Sequence, residues 1–404
     1  MKNSVLNFKF ISLCGLTFLT LCNITVFYDF HGYLLRLGFE TKTAGFLISL
    51  YSLAAMFLYA TVSQRITLVN AYRAMVVGIV LVAGCAIAYR FAVEFWLLAG
   101  VRLVGGAGGF LILASCMVVL VSIIPAEQSG YAFSLYSVAL LAPYSIMPAV
   151  SELVRPWLDS PTMLYMVTGC LLLPAAGLIS LVRAQGSAQG NIFEKSTPTT
   201  SARTRNLLRK PVLSILLMNG VYFTLFSALF YFFDGFARAR GLSIPGFFFT
   251  IQMGVMVAIR IFGGRIFDSL SRVILVAASM LITGAGFVLL YILPTPAWAM
   301  SIAVVFGIGM GLCIPPLNSL MYLVTTPEFR GYNANMMMLV VHLGTFNGAF
   351  VGSLLIDVGG YSLFLMAAAL LTVCGAVFFL MVNPAKETVL EKPLEMNERT
   401  DCCG

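Results

Sequence analysis

Charged side chains are scarce in this sequence: they make up 10% of its 404 residues, against 60% hydrophobic, and the mean hydropathy is +0.96. Soluble domains average about a quarter charged, so the solvent of this chain is mostly lipid. At ~20 apolar residues per crossing there is room for about a dozen membrane helices and no sizeable water-facing domain. Catalysis in a separate soluble domain is excluded on that ground, and no catalytic residues are assigned. Histidine occurs twice, and no His, Cys and carboxylate group has metal-ligand spacing, so no metal or other cofactor is expected. A G-x-x-x-x-G-K-[ST] phosphate loop is also absent, which excludes ATP hydrolysis within this chain. Seven of the nine cysteines are scattered through apolar runs, at Cys14, Cys22, Cys85, Cys116, Cys170, Cys313 and Cys374, and read as packing residues rather than a disulfide framework, while Cys402 and Cys403 read as incidental to the tail.

What is present is a series of apolar runs with polar punctuation. The first set covers Ile11 to Leu35, Ala44 to Ser63, Ala74 to Tyr89, Phe95 to Ile124, Tyr131 to Ser151 and Met163 to Val182. The second covers Val212 to Phe233, Gly246 to Gly264, Val273 to Leu293, Trp298 to Val324, Ala334 to Ile356 and Tyr361 to Val382. The expected fold is all-α, with twelve transmembrane helices in two six-helix bundles: residues 1–185, a polar linker at 186–210 read as flexible, residues 211–383, and a tail at 384–404. The first run lacks the short core and small-residue cleavage site of a signal peptide, so it reads as a retained helix. With an even number of crossings both termini share a side. Placing them in the cytoplasm leaves only Arg36, Lys42, Arg90, Arg155, Arg238 and Arg240 outside and Arg102 and Arg260 within helices. The positive-inside rule supports that orientation. The net charge of +8 is therefore a topology signal, and no nucleic-acid partner is expected.

The two sets resemble each other. Gly32, Tyr33 and Gly38 match Gly235, Phe236 and Gly241 at an offset of 203, while Gly45 matches Gly246, and Gly130 and Tyr131 match Gly331 and Tyr332, at 201. Parallel six-helix repeats are a transporter architecture. The stretch from Arg260 to Arg272 then resembles the G-x-x-x-D-x-x-x-R loop signature of the major facilitator superfamily, filled by Gly264, Asp268 and Arg272. The first-half equivalents are Ser63, Thr67 and Ala71, so that copy has lost its Gly and Asp. Arg102 with Gly106 and Gly108 resembles the superfamily's R-x-x-x-G-x-G, and Arg330-Gly331 resembles its short turn between the tenth and eleventh helices. The antiporter signature of the fifth helix is reduced to Ala142-Pro143, with Val138 and Ile146 where glycines would stand.

Ionisable groups inside a bilayer are costly and mark functional paths by default. Counting ~1.5 Å per residue, Asp29 and Arg102 lie at a similar depth, roughly 10 to 12 Å below the outer surface. The expectation is a carboxylate–guanidinium pair whose protonation couples a proton to the solute. Arg260 and His342 lie roughly 12 to 15 Å above the other surface. His342 is a second candidate proton site, and Arg260 reads as a brace for the nearby loop. In the seventh run Asn219, Tyr222, Phe223, Phe226, Phe230 and Asp234 form one polar-aromatic stripe. The superfamily's first, fourth, seventh and tenth helices line a central cavity, so the resemblance turns that stripe inward. Asn219, Tyr222 and Phe226, with Asn23, Asn318 and Arg102, are then the expected substrate contacts, suited to an amphipathic organic molecule. The same resemblance makes Gly264, Asp268 and Arg272 a conformational latch.

The resulting expectation is a secondary active transporter, monomeric, in the bacterial inner membrane. It moves a small organic solute by alternating access with a proton as coupling ion. Export by antiport is favoured on the likeness to efflux members. Two alternatives stay open: proton-coupled uptake of an organic anion held by Arg102, and a membrane sensor that keeps the transporter fold.

Overall fold

The computed structural model describes residues 7–124, 129–184, 199–242, 245–263, 267, 270–293 and 295–386, and among these every regular element is a helix. Lipid offers the backbone no hydrogen-bond partners, so an apolar run must close its own N–H and C=O groups and does so as a helix. Ten helices are long and apolar enough to cross a membrane. One of them, Pro327–Lys386, has 60 residues, enough for two crossings with their ends, and breaks at Gly359 and Gly360. The φ of +64° at Gly360 is open to a residue without a Cβ. A shorter apolar helix over Pro161–Gly177 supplies one more. The described residues thus carry the twelve crossings read from the sequence.

In order they are Phe8–Arg36, Thr41–Thr61, Leu68–Ala88, Phe95–Ile123, Ser129–Val154, the sixth from Pro161 to Ala184, then Lys210–Ala239, Pro245–Phe262, Arg272–Ile292, Pro296–Val324, and the eleventh and twelfth within Arg330–Val382. Successive crossings alternate in direction, so Phe8 and Val382 lie on one face, called the near face here; Arg36, Trp157 and Ala239 lie on the opposite, far face. Two crossings are interrupted. A 3-10 turn over Val26–Asp29 interrupts the first, and the tenth stops at Gly311 and resumes at Ile314, where Pro315 and Pro316 remove two ladder donors.

Crossings one to six pack against seven to twelve mainly through two pairs, the second with the eleventh and the fifth with the eighth. The second pair comes close because Gly246 has no side chain: a Cβ there would meet the Pro148 carbonyl. One turn on, the Thr250 hydroxyl donates to the Ser145 carbonyl at 2.8 Å.

The linker differs from the expectation of a flexible segment, because Thr200–Leu208 is a helix. Thr199 caps it by accepting from the Ala202 amide at 3.4 Å, and Asn206 donates to Asn333 at 2.7 Å, which docks the helix on the eleventh crossing. A polar composition indicates loop only when its side chains have no folded partner, and here they do. Residue 185, the linker residues 186–198 and the tail from 387 onward lie outside the described residues.

Candidate functional site

The 3-10 turn at the far end of the first crossing turns Asp29 inward, where it is 2% exposed. Its partner is Arg155 of the fifth crossing, whose Nη2 donates to Oδ2 at 2.9 Å, and the Tyr165 hydroxyl donates to Oδ1 at 3.1 Å. The Asp29–Arg102 pair expected from equal depth is not what forms. Arg102 instead donates to the carbonyls of Leu47 and Ile48 in the second crossing, at 3.3 and 2.7 Å, and its guanidinium lies 5.1 to 5.2 Å from the rings of Phe27, Phe30 and Tyr51. Residue counting along a helix gives no azimuth, which is what decides these partners. Arg102 points at a neighbouring helix backbone, and the 3-10 turn rotates Asp29 toward the fifth crossing.

Arg155 also reaches Asp234 of the seventh crossing at 4.0 Å, across the boundary between the halves. Asp234 takes a two-point contact from Arg238, with Nε at 3.1 Å and Nη2 at 2.9 Å, and Arg238 lies 3.6 Å from Glu152 on the first-half side. The Tyr28 hydroxyl donates to Glu152 at 3.0 Å. Three carboxylates and two guanidiniums thus close the far end of the interface. Of these, only Asp29 was singled out from the sequence as a proton-coupling group, with Asp234 noted in the aromatic stripe. In the sequence Arg155 and Arg238 read only as loop charges and Glu152 does not stand out, although Asp234 and Arg238 stand four apart, the spacing of an intrahelical ion pair. His31 was also passed over. It is 2% exposed, lies edge-on to Phe232 of the seventh crossing at 4.9 Å, and has no hydrogen-bond partner on either ring nitrogen among the described residues.

The other histidine sits toward the opposite end. His342 of the eleventh crossing stacks on Tyr59 of the second, with centroids 5.2 Å apart and planes at 25°. The seventh-crossing stripe lies between the two ends. Tyr222 donates to the Met310 carbonyl at 3.2 Å, where the tenth crossing is about to break, and Asn219 donates to the Met337 carbonyl at 3.1 Å. Phe226 stacks between Tyr222 and Phe230, and Tyr144 of the fifth crossing closes on both phenylalanines at 5.3 and 5.1 Å. Asn23 is committed to the sixth crossing through Thr168 at 3.2 Å, while Asn318 is exposed. Of the loop signature, Gly264 and Asp268 lie outside the described residues; Arg272 donates to Ser319 at 2.8 Å and so ties the ninth crossing to the tenth.

Residues 10–346 match the Major Facilitator Superfamily. The chain belongs to that superfamily. As a major facilitator it is similar over part of its length to curated relatives. "Multidrug resistance protein MdtH" of Aeromonas hydrophila subsp. hydrophila is 27% identical over 172 residues, 43% of each chain. The protein of the same name from Yersinia pestis (strain Pestoides F) is 30% identical over 115 residues, 28% of each. The chain therefore spans less than half the length of these relatives. Among solved structures, a bacterial homologue of the human lysosomal transporter Spinster, in an inward-facing and unoccupied conformation, superposes with a TM-score of 0.75 at 12% identity, covering 97% of this chain and 99% of that one. At that identity the likeness carries the fold alone. This major facilitator is an integral membrane protein of a transporter family.

Proposed function

We propose that the protein exports a small, amphipathic organic solute in exchange for protons, by alternating access, with its near face in the cytoplasm of a bacterial inner membrane and a single chain as the working unit. The observation that carries this reading is the far-end cluster. Its ion pairs cross from one half to the other, so the solute path can open on that side only when they separate. Arg36 also faces Asp29 and Asp234, so three guanidiniums stand against the three carboxylates. A proton on Asp29 or Asp234 removes the charge that holds Arg155, weakens the contact between the halves and is carried through the cycle. This gives Asp29 its coupling role with Arg155 in place of Arg102. Arg102 braces the first, second and fourth crossings around that turn. His342, against Tyr59, is the counterpart proton site at the near end. Gly264, Asp268 and Arg272 form the near-face latch, which the Arg272–Ser319 contact supports.

The solute path runs along the seventh-crossing stripe, where Tyr222 and Phe226 offer aromatic surface and a few polar groups; Asn219 supports the wall and Asn23 and Asn318 lie on the flanking crossings. The naming of the partial relatives as multidrug resistance proteins supports export over uptake. The test uses inverted membrane vesicles with an acid interior, reported by acridine orange, to which a panel of aromatic solutes is added. In an antiporter, entry of solute releases protons and restores the fluorescence in wild type but not in Asp29→Asn. Solute entry without proton release would overturn the coupling. Binding without any flux would favour the sensor reading.

A further inference from the structure

We propose that Arg260, Gln252 and Tyr222 form a subsite for the anionic group of an amphipathic aromatic solute, beside the break in the tenth crossing. Arg260 stands in the last turn of the eighth crossing. The carbonyl end of a helix favours a cation there, but it does not supply the acceptors a guanidinium needs. Arg260 has no ion-pair partner among the described residues, and its buried Nε has no hydrogen-bond partner. The Tyr222 hydroxyl, donating to the Met310 carbonyl, lies at the same break in the tenth crossing. The contrast with Arg102 is direct: that guanidinium, 2% exposed, is satisfied by two carbonyls and three rings.

A second, independent group points the same way. Gln252, two turns before Arg260, is 1% exposed, yet its Oε1 has no partner and its Nε2 donates only to the Met310 sulfur at 3.2 Å. A thioether is a weak acceptor, so this buried amide is under-satisfied at both ends, a state that costs free energy until a ligand or water fills it. The packing register brings the two groups to the break. A side chain at Gly307 would meet Val255 and the Gln252 carbonyl, and one at Gly311 would meet Ile259 and Met256. The same register carries Arg260 level with the restart of the tenth crossing at Ile314. Interrupted crossings near the middle of the membrane are where transporters of this repeat type hold polar groups of their solutes. From Tyr222 the rings of Phe226, Phe230 and Tyr144 continue as a wall for the body of the ligand. The chemistry that fits is a carboxylate, or another compact anion, on an aromatic frame that also carries a hydrogen-bond donor for the Gln252 oxygen. Arg260 is then a ligand contact rather than a brace for the loop.

The proposal deepens the transport reading by naming the chemistry of its solute, but it is tested by binding alone, so it stands or falls independently of flux. Full-length protein in phosphatidylcholine nanodiscs is titrated calorimetrically with benzoate, naphthoate and biphenylcarboxylate, each paired with its neutral primary amide. At least one carboxylate is expected to bind about tenfold or more tighter than its amide. Arg260→Gln removes that preference, and Arg260→Lys, which keeps the charge, retains most of it. No preference for any carboxylate in wild type overturns the proposal, whatever the variants do. A preference that persists in Arg260→Gln overturns it as well. Because a phospholipid headgroup offers a similar anion, the titration is repeated with phosphatidylglycerol in the disc. Loss of probe binding there assigns the site to lipid and overturns the solute reading.

Discussion

The two ends of the interface between the halves are built differently. At the far end, five charged side chains from three crossings interlock, with Asp29 and Asp234 buried and Arg155 reaching both. Toward the near end, described contacts between the halves are neutral or singly charged: the Tyr59–His342 stack, and Arg203 of the linker helix donating to Gln64 at 3.2 Å and lying over Tyr332 at 5.5 Å. Separating buried opposite charges leaves each of them unpaired in low dielectric, which is costly, whereas parting two stacked rings costs about 0.5 to 1.5 kcal/mol. By the described contacts alone, the far end is the costlier of the two to open.

The largest effect should come from Arg155→Ala, which strands the buried Asp29 and leaves Asp234 to Arg238 alone. Breaking a buried pair costs about 3 to 5 kcal/mol; with Arg155 29% exposed, about 2 kcal/mol is the fitting scale, or roughly thirtyfold in the ratio of far-closed to far-open states. Faster amide hydrogen exchange over residues 26–36, by mass spectrometry, is the expected readout. His342→Ala should be smaller and of opposite sense, loosening the near end by about 1 kcal/mol, while His342→Phe, which keeps a ring on Tyr59, should not; exchange in residues 55–65 reports it. The smallest effect concerns Glu152 and Arg238. Because Arg238 is 43% exposed, a double-mutant cycle of Glu152→Gln and Arg238→Gln, read by thermal unfolding, should give a coupling of about 0.5 kcal/mol. A coupling as large as the Arg155 effect would mean the cluster is centred on Arg238 instead.

The architecture was largely legible in the sequence, because a crossing is set by ~20 apolar residues whatever it packs against. The repeat was legible too, since Gly45 and Gly246 mark the places where the halves approach each other. Partners were not. Asp29 and Arg155 are 126 residues apart, and hydropathy carries no azimuth, so a shared depth suggested Arg102. The two intramembrane arginines show the same limit: nothing in their flanking residues tells that Arg102 meets two carbonyls while the Arg260 Nε meets no acceptor among the described residues. The break in the tenth crossing could have been read from Pro315 and Pro316, and the linker helix from Thr199 followed by Leu207 and Leu208.

The central claim, that the far-end charge cluster holds the halves together and that losing its charge lets them exchange access, is tested most directly by electron-electron distance measurements. In a background without native cysteines, one spin-label pair at Phe91 and Ile292 reports the far face and another at Val69 and Leu270 reports the near face, all four positions being exposed. With Asp29→Asn and Asp234→Asn standing in for the protonated acids, the account predicts a longer far-face distance and a shorter near-face distance in the same sample. Distributions unchanged at both faces, or lengthened at both, would contradict it.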